Sequence, residues 1–175
     1  MSPFAWIQIL LYLGALLALV KPLGEYMARV YAGVPTLVDK ILHPAEQLIY
    51  RIGRVDPGEE MGWKGYALAM LTFQAVGFLA VFGLQEAQAL LPLNPERLGR
   101  VPAGSAFNTA ISFVTNTNWQ GYSPETTLGH LTQMAGLTVQ NFVSAATGMA
   151  ILAALVRGFK RRNTDRIGNF WVDLV

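Results

Sequence analysis

Val101–Pro124 reads VPAGSAFNTAISFVTNTNWQGYSP, and the reading of this stretch decides the fold. It holds no Asp, Glu, Lys or Arg. Gly104-Ser105 offers a helix start, with Ser105 as a candidate N-cap. Phe107, Ala110, Ile111 and Val114 then follow the i, i+3, i+4, i+7 spacing of a helical stripe. A helix over Ser105–Thr115 is about 16 Å long, roughly half of a bilayer core. It runs into Thr115-Asn116-Thr117-Asn118-Trp119-Gln120-Gly121-Tyr122, which has poor helix propensity. A half-length helix, a polar extended stretch and a return to an apolar run describe a re-entrant pore loop. Irregular backbone at membrane depth is tolerated only where protein buries it or water lines it.

The rest of the chain supplies the membrane setting. Of 175 residues, 53% are hydrophobic and 14% charged, with mean hydropathy +0.36. Soluble domains run at about 45–50% and about 25%. Residues 1–20, 65–85 and 126–156 contain no Asp, Glu, Lys or Arg, and a bilayer core takes about 20 apolar residues. This argues against a cytosolic enzyme, a disulfide-stapled domain (the chain has no Cys) and a disordered tail. An all-α integral membrane protein remains, with three transmembrane helices, one pore helix and one loop.

The net charge of +2 and pI near 9.0 read as topology signals rather than nucleic-acid binding. Lys21, Arg29, Lys40, Arg51, Arg54 and Lys64 lie between the first and second apolar runs, and Arg157, Lys160, Arg161, Arg162 and Arg166 follow the third. Only Arg97 and Arg100 separate the second from the third. The positive-inside tendency therefore places residues 21–64 and 157–175 in the cytoplasm, and the N-terminus and residues 92–125 outside. Met1–Ala5 lacks the basic start of a cleaved signal peptide.

The expected organisation follows: residues 1–31 an N-terminal transmembrane helix, 32–64 a cytoplasmic or interfacial segment, 65–91 a second crossing, 92–125 the extracytoplasmic segment with the pore helix, 126–159 a third crossing, and 160–175 a cytoplasmic tail. Thr36–Ile52 has an apolar face of Val38, Ile41, Leu42, Ala45, Leu48, Ile49 and Ile52, with Pro44 expected to divide it. Wholly helical, residues 126–156 would measure about 46 Å, so a bend or a protruding start is expected.

A dehydrated potassium ion needs a cage of oxygen dipoles from which it can still leave. A Thr-Asn-Thr-Asn stretch can turn successive carbonyls toward an axis, and the half-helix aims its partly negative end at the same place. Trp119 and Tyr122 can wedge the loop against its neighbours. The same composition also fits an ordinary external loop. In the third crossing Gln133, Gln140, Ser144 and Thr147 share one helical face, with Asn141 beside it. Such residues line a bundle interior or a watery path. Ser144 and Thr147 fit interhelical hydrogen bonding better, whereas Gln133 and Gln140 stay open as pathway-lining candidates.

Asn108–Tyr122 (NTAISFVTNTNWQGY), Glu125–Leu128 (ETTL) and Gln133–Phe142 (QMAGLTVQNF) closely resemble the first pore-loop repeat of the KdpA family. That family comprises the potassium-binding and translocating subunits of bacterial Kdp potassium-transporting ATPases. Lys21–Gly24 (KPLG), Met61–Tyr66 (MGWKGY), Leu91–Pro95 (LPLNP) and Gly168–Leu174 (GNFWVDL) resemble it too, so the likeness runs from about residue 10 to the last. The resemblance implies fused helix–pore–helix repeats of the potassium-channel superfamily behind one extra helix. This chain matches the extra helix and the first repeat, and its tail would lead to a second. By the same resemblance Asn116, Thr117 and Asn118 are potassium ligands of a selectivity filter, with Thr115 and Gln120 at its edges. Potassium is then the bound ion, and no organic cofactor belongs to this chain. ATP and Mg would be used by a P-type ATPase catalytic subunit, with small accessory membrane subunits completing an inner-membrane complex.

Asp39-Lys40-Ile41 does not continue into an aspartyl-phosphate motif, and no glycine-rich phosphate loop occurs, so catalytic residues are not expected here. His43 and His130 stand alone, and Asp56, Glu59 and Glu60 lack calcium-loop spacing. Two other readings remain: a homotetrameric channel-like pore, and a non-transport membrane scaffold or remnant.

Overall fold

The computed structural model describes residues 3–36 and 38–175. Met1, Ser2 and Leu37, which fall in the expected first helix and amphipathic segment, lie outside the described residues. The chain divides into two compact units, one reaching Arg54 and the other Val55–Val175.

In the first unit, α1 (Pro3–Tyr31) continues through Lys21-Pro22 without a break. Proline removes one helical hydrogen bond, and the apolar residues on either side still hold the helix together. Phe4–Tyr31 is one of three described helices long and apolar enough to cross a membrane. α2 (Asp39–Gly53) carries the amphipathic pattern. Pro44 lies inside it rather than dividing it. The helix begins only at Asp39, so Pro44 falls in its second turn, where just one bond is lost. The Asp39 carboxylate accepts the Thr36 amide at 2.6 Å and the Thr36 hydroxyl, which holds its pKa below the ordinary value. Arg54 closes the helix in a left-handed conformation, φ 51°.

The second unit is built on two further membrane-length helices. α3 (Trp63–Ala87) ends in a 3₁₀ turn, Gln88–Leu90. α4 (Ala103–Val114) is the expected short helix, started two residues early. Pro102 is its N-cap, and Ser105 lies within the first turn rather than at the cap. Among the described residues no side chain caps this helix start.

The third crossing is not one helix from residue 126. A single turn, α5 (Pro124–Thr127), stops at Leu128-Gly129. Gln88 explains the break: its amide nitrogen donates to the Thr127 carbonyl at 2.8 Å, and its oxygen accepts the Gly129 amide at 3.2 Å. These groups would otherwise serve a continuous helix. The chain resumes in a wide π-helical stretch, Thr132–Thr138, which passes into α6 (Val139–Lys160).

Two apolar clusters sit at opposite ends of α3. One joins Val81, Val101, Ala106, Ala110, Phe113, Leu128 and Leu137, with Phe78, Phe82 and Tyr122 against it. The other joins Tyr66, Ala150, Ala154 and Phe170. Residues after Lys160, the expected tail, form a strand and a short helix. β2 (Arg166–Gly168) pairs antiparallel with β1 (Met61–Gly62), in register Met61 to Gly168. α7 (Phe170–Leu174) then folds back, its N-cap Asn169 accepting the Trp171 amide at 3.0 Å. Phe170 is fully buried, with edge-on contacts to Tyr66 and Trp171 at centroid distances of 5.5 and 5.2 Å. Asn169 also donates to the carbonyls of Asp56 and Glu59, and Arg161 grips Glu60.

Candidate functional site

α4 sits against α3 with Ala106, Thr109, Ala110, Ser112, Phe113 and Val114 buried. Its C-terminus leads straight into Thr115–Gln120. The backbone there is pinned from one side. The amides of Thr115 and Asn116 donate to Ile111 and Phe113 at 2.9 and 3.3 Å. Those of Thr117 and Asn118 both donate to the Ser112 carbonyl, at 2.8 and 3.2 Å. The Trp119 amide donates to Ser112 Oγ at 2.8 Å. Five successive N–H groups thus point back at the end of α4.

The carbonyls face elsewhere. Among the described residues, no hydrogen bond ends on the carbonyl oxygens of Thr115, Asn116, Thr117 or Asn118. Asn116 and Asn118 have φ of 58° and 59°, while Thr117 between them does not lie at positive φ. Alternating hand gathers N–H groups on one side of a chain and leaves carbonyls on the other. Asparagine tolerates the left-handed region better than most residues. Residues 115–119 are exposed in this chain, so the oxygens form one open wall.

Side chains brace the wall. Thr115 Oγ1 donates to the Ile111 carbonyl at 2.8 Å and lies 3.2 Å from Thr117 Oγ1. Asn118 Nδ2 and Ser144 Oγ both donate to Asn116 Oδ1, at 3.3 and 3.2 Å. The amide of Gln74 donates to the Val114 carbonyl at 3.1 Å, capping the last turn of α4 from α3. Residues 101–124 carry no formal charge. The potential at the wall therefore comes from carbonyl dipoles and the partly negative end of α4. At the rim the Ser123 hydroxyl donates to Glu125 at 2.6 Å and holds that carboxyl below its ordinary pKa.

The structure thus brings Thr115, Asn116, Thr117 and Asn118 together. Gln120 follows, half-buried, beyond the Trp119 tether. The Trp119 side chain is exposed, whereas Tyr122 rests on the core. Gln133 stands away from the wall: its amide donates to Leu128 at 2.9 Å and Pro124 at 3.4 Å, bracing the broken helix. Gln140 is buried against α3, where its Oε1 lies 2.8 Å from the position of a Cβ on Gly77. Asn141 is exposed and its carbonyl lies 3.4 Å from Ser144 Oγ.

Ser112, Gln74 and Gln85 escape a reading of spacing alone. Gln74 and Gln85 are separated by three helical turns, which puts them on one face of α3. Two amide side chains on one face of a membrane-length helix were the available signal. Ser112 leaves none, since serine is ordinary in a short helix.

The model of the family described as KdpA, potassium-transporting ATPase A subunit, matches residues 10–175. A potassium-transporting ATPase potassium-binding subunit of Methylococcus capsulatus is 64% identical over 168 residues, covering 96% of this chain and 28% of that protein. Its namesake from Herpetosiphon aurantiacus is 61% identical, covering 96% of this chain and 29% of the relative. The one from Rhodospirillum centenum is 58% identical, covering 97% and 30%. The chain therefore spans under a third of the length of the curated relatives it matches. With the family model covering nearly the whole sequence, the chain belongs to the KdpA family, the A subunits of potassium-transporting ATPases.

Proposed function

We propose that this chain supplies one wall of a potassium-selective filter in the potassium-binding subunit of an ATP-driven uptake complex. One observation carries the reading: the amides of residues 115–119 are all tied to α4, while the carbonyls of 115–118 are left unbonded. Neutral oxygen dipoles facing one way replace the hydration of a potassium ion without holding it as a carboxylate would. The relatives named as potassium-binding subunits support the same ion.

In this reading Asn116, Thr117 and Asn118 bind potassium through backbone oxygens, with Thr115 and Gln120 at the edges. A single wall needs others to close it, and these come from further repeats of the complete subunit. ATP and Mg are handled by a P-type ATPase partner, alongside small accessory membrane subunits. The chain lies in the bacterial inner membrane with its N-terminus outside. Lys64, Arg157, Arg161 and Arg166 support that orientation for the second unit, because they gather at the end of α3 and α6 away from the loop.

The test is Asn118→Asp in a complete subunit within its complex. A fixed charge beside the oxygens should change the KM for potassium and weaken discrimination against sodium by about tenfold or more. Unaltered uptake kinetics and selectivity in an assembled complex would sink the assignment.

A further inference from the structure

We propose that Gln85 is a positioning residue that sets the ion preference of the loop from behind, acting through the Tyr122 hydroxyl. The proposal rests on the filter reading above and concerns a second anchor, independent of the tether to α4.

Gln85 lies on α3 and is fully buried, as is Thr109 on α4. The Gln85 amide nitrogen donates to the carbonyls of Val81 and Ala106 at 3.1 and 3.2 Å. Both donors are thereby engaged, so Oε1 must face the remaining direction. There it accepts the Tyr122 hydroxyl at 2.7 Å. That hydroxyl in turn accepts from Thr109 Oγ1 at 3.0 Å. Every polar atom of the relay is satisfied, and such buried networks fix a single arrangement.

The relay reaches across three pieces of chain. α3 contributes Gln85, α4 contributes Thr109 and the Ala106 carbonyl, and the limb leaving the loop contributes Tyr122. The other anchor ends at Trp119, held by Ser112. Only Gln120 and Gly121 lie between the two anchors, and a Cβ on Gly121 would meet nothing within 4 Å. Between Trp119 and Tyr122 the outer limb thus leans on half-buried Gln120 alone. The oxygens of residues 117 and 118 share peptide planes with the Asn118 and Trp119 amides that Ser112 holds. Releasing Tyr122 therefore loosens that tether from its outer end and lets these peptides tilt away from the geometry that suits one ion radius, while α4 stays in place.

The primary variant is Tyr122→Phe, which keeps the ring on its apolar cluster and removes only the hydroxyl. Gln85→Leu is the second: the Val81 and Ala106 carbonyls retain their helical partners, so the loss falls on Tyr122. Both are made in the assembled complex with the complete subunit, beside Asn118→Asp. Either variant should raise the KM for potassium by about five- to thirty-fold, the factor one or two hydrogen bonds are worth. The maximal rate should change far less, and discrimination against sodium should fall. The double variant should be no worse than the more affected single one, because both break one contact. Lost assembly with unchanged KM in the surviving complex would overturn the proposal, as would additive effects. If Asn118→Asp shifts the KM and these variants do not, the filter reading stands and the relay fails. If none of the three shifts it, the filter reading itself falls.

Discussion

Arg157 holds Asp173 with two contacts, Nη1 to Oδ2 at 2.5 Å and Nη2 to Oδ1 at 2.8 Å. The Tyr66 hydroxyl, which donates to the Ala150 carbonyl at 2.7 Å, also lies 3.0 Å from Asp173 Oδ2. Arg157 reaches the Ile167 carbonyl as well. This pair fastens α7 to α6 and, through Tyr66, to α3. The clasp also explains Gly168, whose φ of 115° brings its Cα so near that a Cβ would collide with the Arg157 guanidinium.

Side chains so little exposed, 19% for Arg157 and 4% for Asp173, make the pair costly to halve. Asp173→Leu alone leaves an unpaired guanidinium and should destabilise the protein by about 3–5 kcal/mol. Adding Arg157→Met should recover most of that loss, since an apolar pair replaces the ions. Thermal unfolding of the purified protein in detergent measures both. A single variant as stable as the parent would show that the pair is solvated in practice.

Gly77 on α3 faces Gln140 on α6. A Cβ at residue 77 would stand 2.8 Å from Gln140 Oε1 and 3.3 Å from its Nε2. Gln140 is buried and, among the described residues, its Nε2 has no hydrogen-bond partner, so the amide has no favourable place to retreat. Gly77→Ala should therefore destabilise by about 1–3 kcal/mol despite the better helix propensity of alanine. Gly83→Ala, where nothing lies within 4 Å, serves as the control and should be neutral or mildly stabilising. Adding Gln140→Ala to Gly77→Ala should restore stability. Equal behaviour of the two single variants would mean that α3 and α6 do not approach this closely.

Glu60, paired with Arg161 just ahead of β1, gives the segment after α6 a pH dependence. Hydrogen bonds from Arg161 at 2.8 and 3.0 Å hold its carboxyl below the ordinary value of 4.5. A folded-state pKa below the unfolded one adds stability above pH 4.5 and loses it as pH falls through the lower, folded value. The protection of the amides in residues 166–174, taken relative to the intrinsic exchange rate at each pH, should accordingly fall under acid conditions. Glu60→Gln should flatten that profile, and the effect should be modest because both side chains are partly in solvent. An identical profile in the variant would assign the acid sensitivity to another group.

The membrane-length helices were legible because burial in lipid demands long runs without charge, a one-dimensional signal. So was α4, since the i, i+3, i+4, i+7 stripe of Phe107, Ala110, Ile111 and Val114 is a local signal. The failures have a common cause. Pro44 and Ser105 were read by local rules, while the helix boundaries that decide their meaning lie several residues away. The break before α6 depends on Gln88, some forty residues earlier in sequence. The strand pairing and α7 depend on contacts between residues near 60 and residues near 170. Within the candidate site, the residue types proposed as ligands come from the sequence, but the direction of each carbonyl does not. That direction is set by φ at Asn116 and Asn118 and by Ser112, which accepts three of the loop's amides.

Backbone hand at the two asparagines carries the last prediction. At φ of 58° and 59° a β-branched residue clashes with its own backbone, whereas glycine does not. Asn116→Val or Asn118→Val should cost about 1–2 kcal/mol in loop geometry, which at the proposed filter reads as roughly a five- to thirtyfold rise in the KM for potassium. Asn116→Gly and Asn118→Gly keep the required φ and should fall closer to the parent. A residual loss is expected at Asn116→Gly, because Oδ1 there accepts from Asn118 and Ser144. The order glycine, then valine, in uptake measurements on the complete complex separates backbone hand from side-chain chemistry. If valine matches glycine at both positions, the carbonyls do not depend on the left-handed turns, and binding by the asparagine side chains becomes the better account.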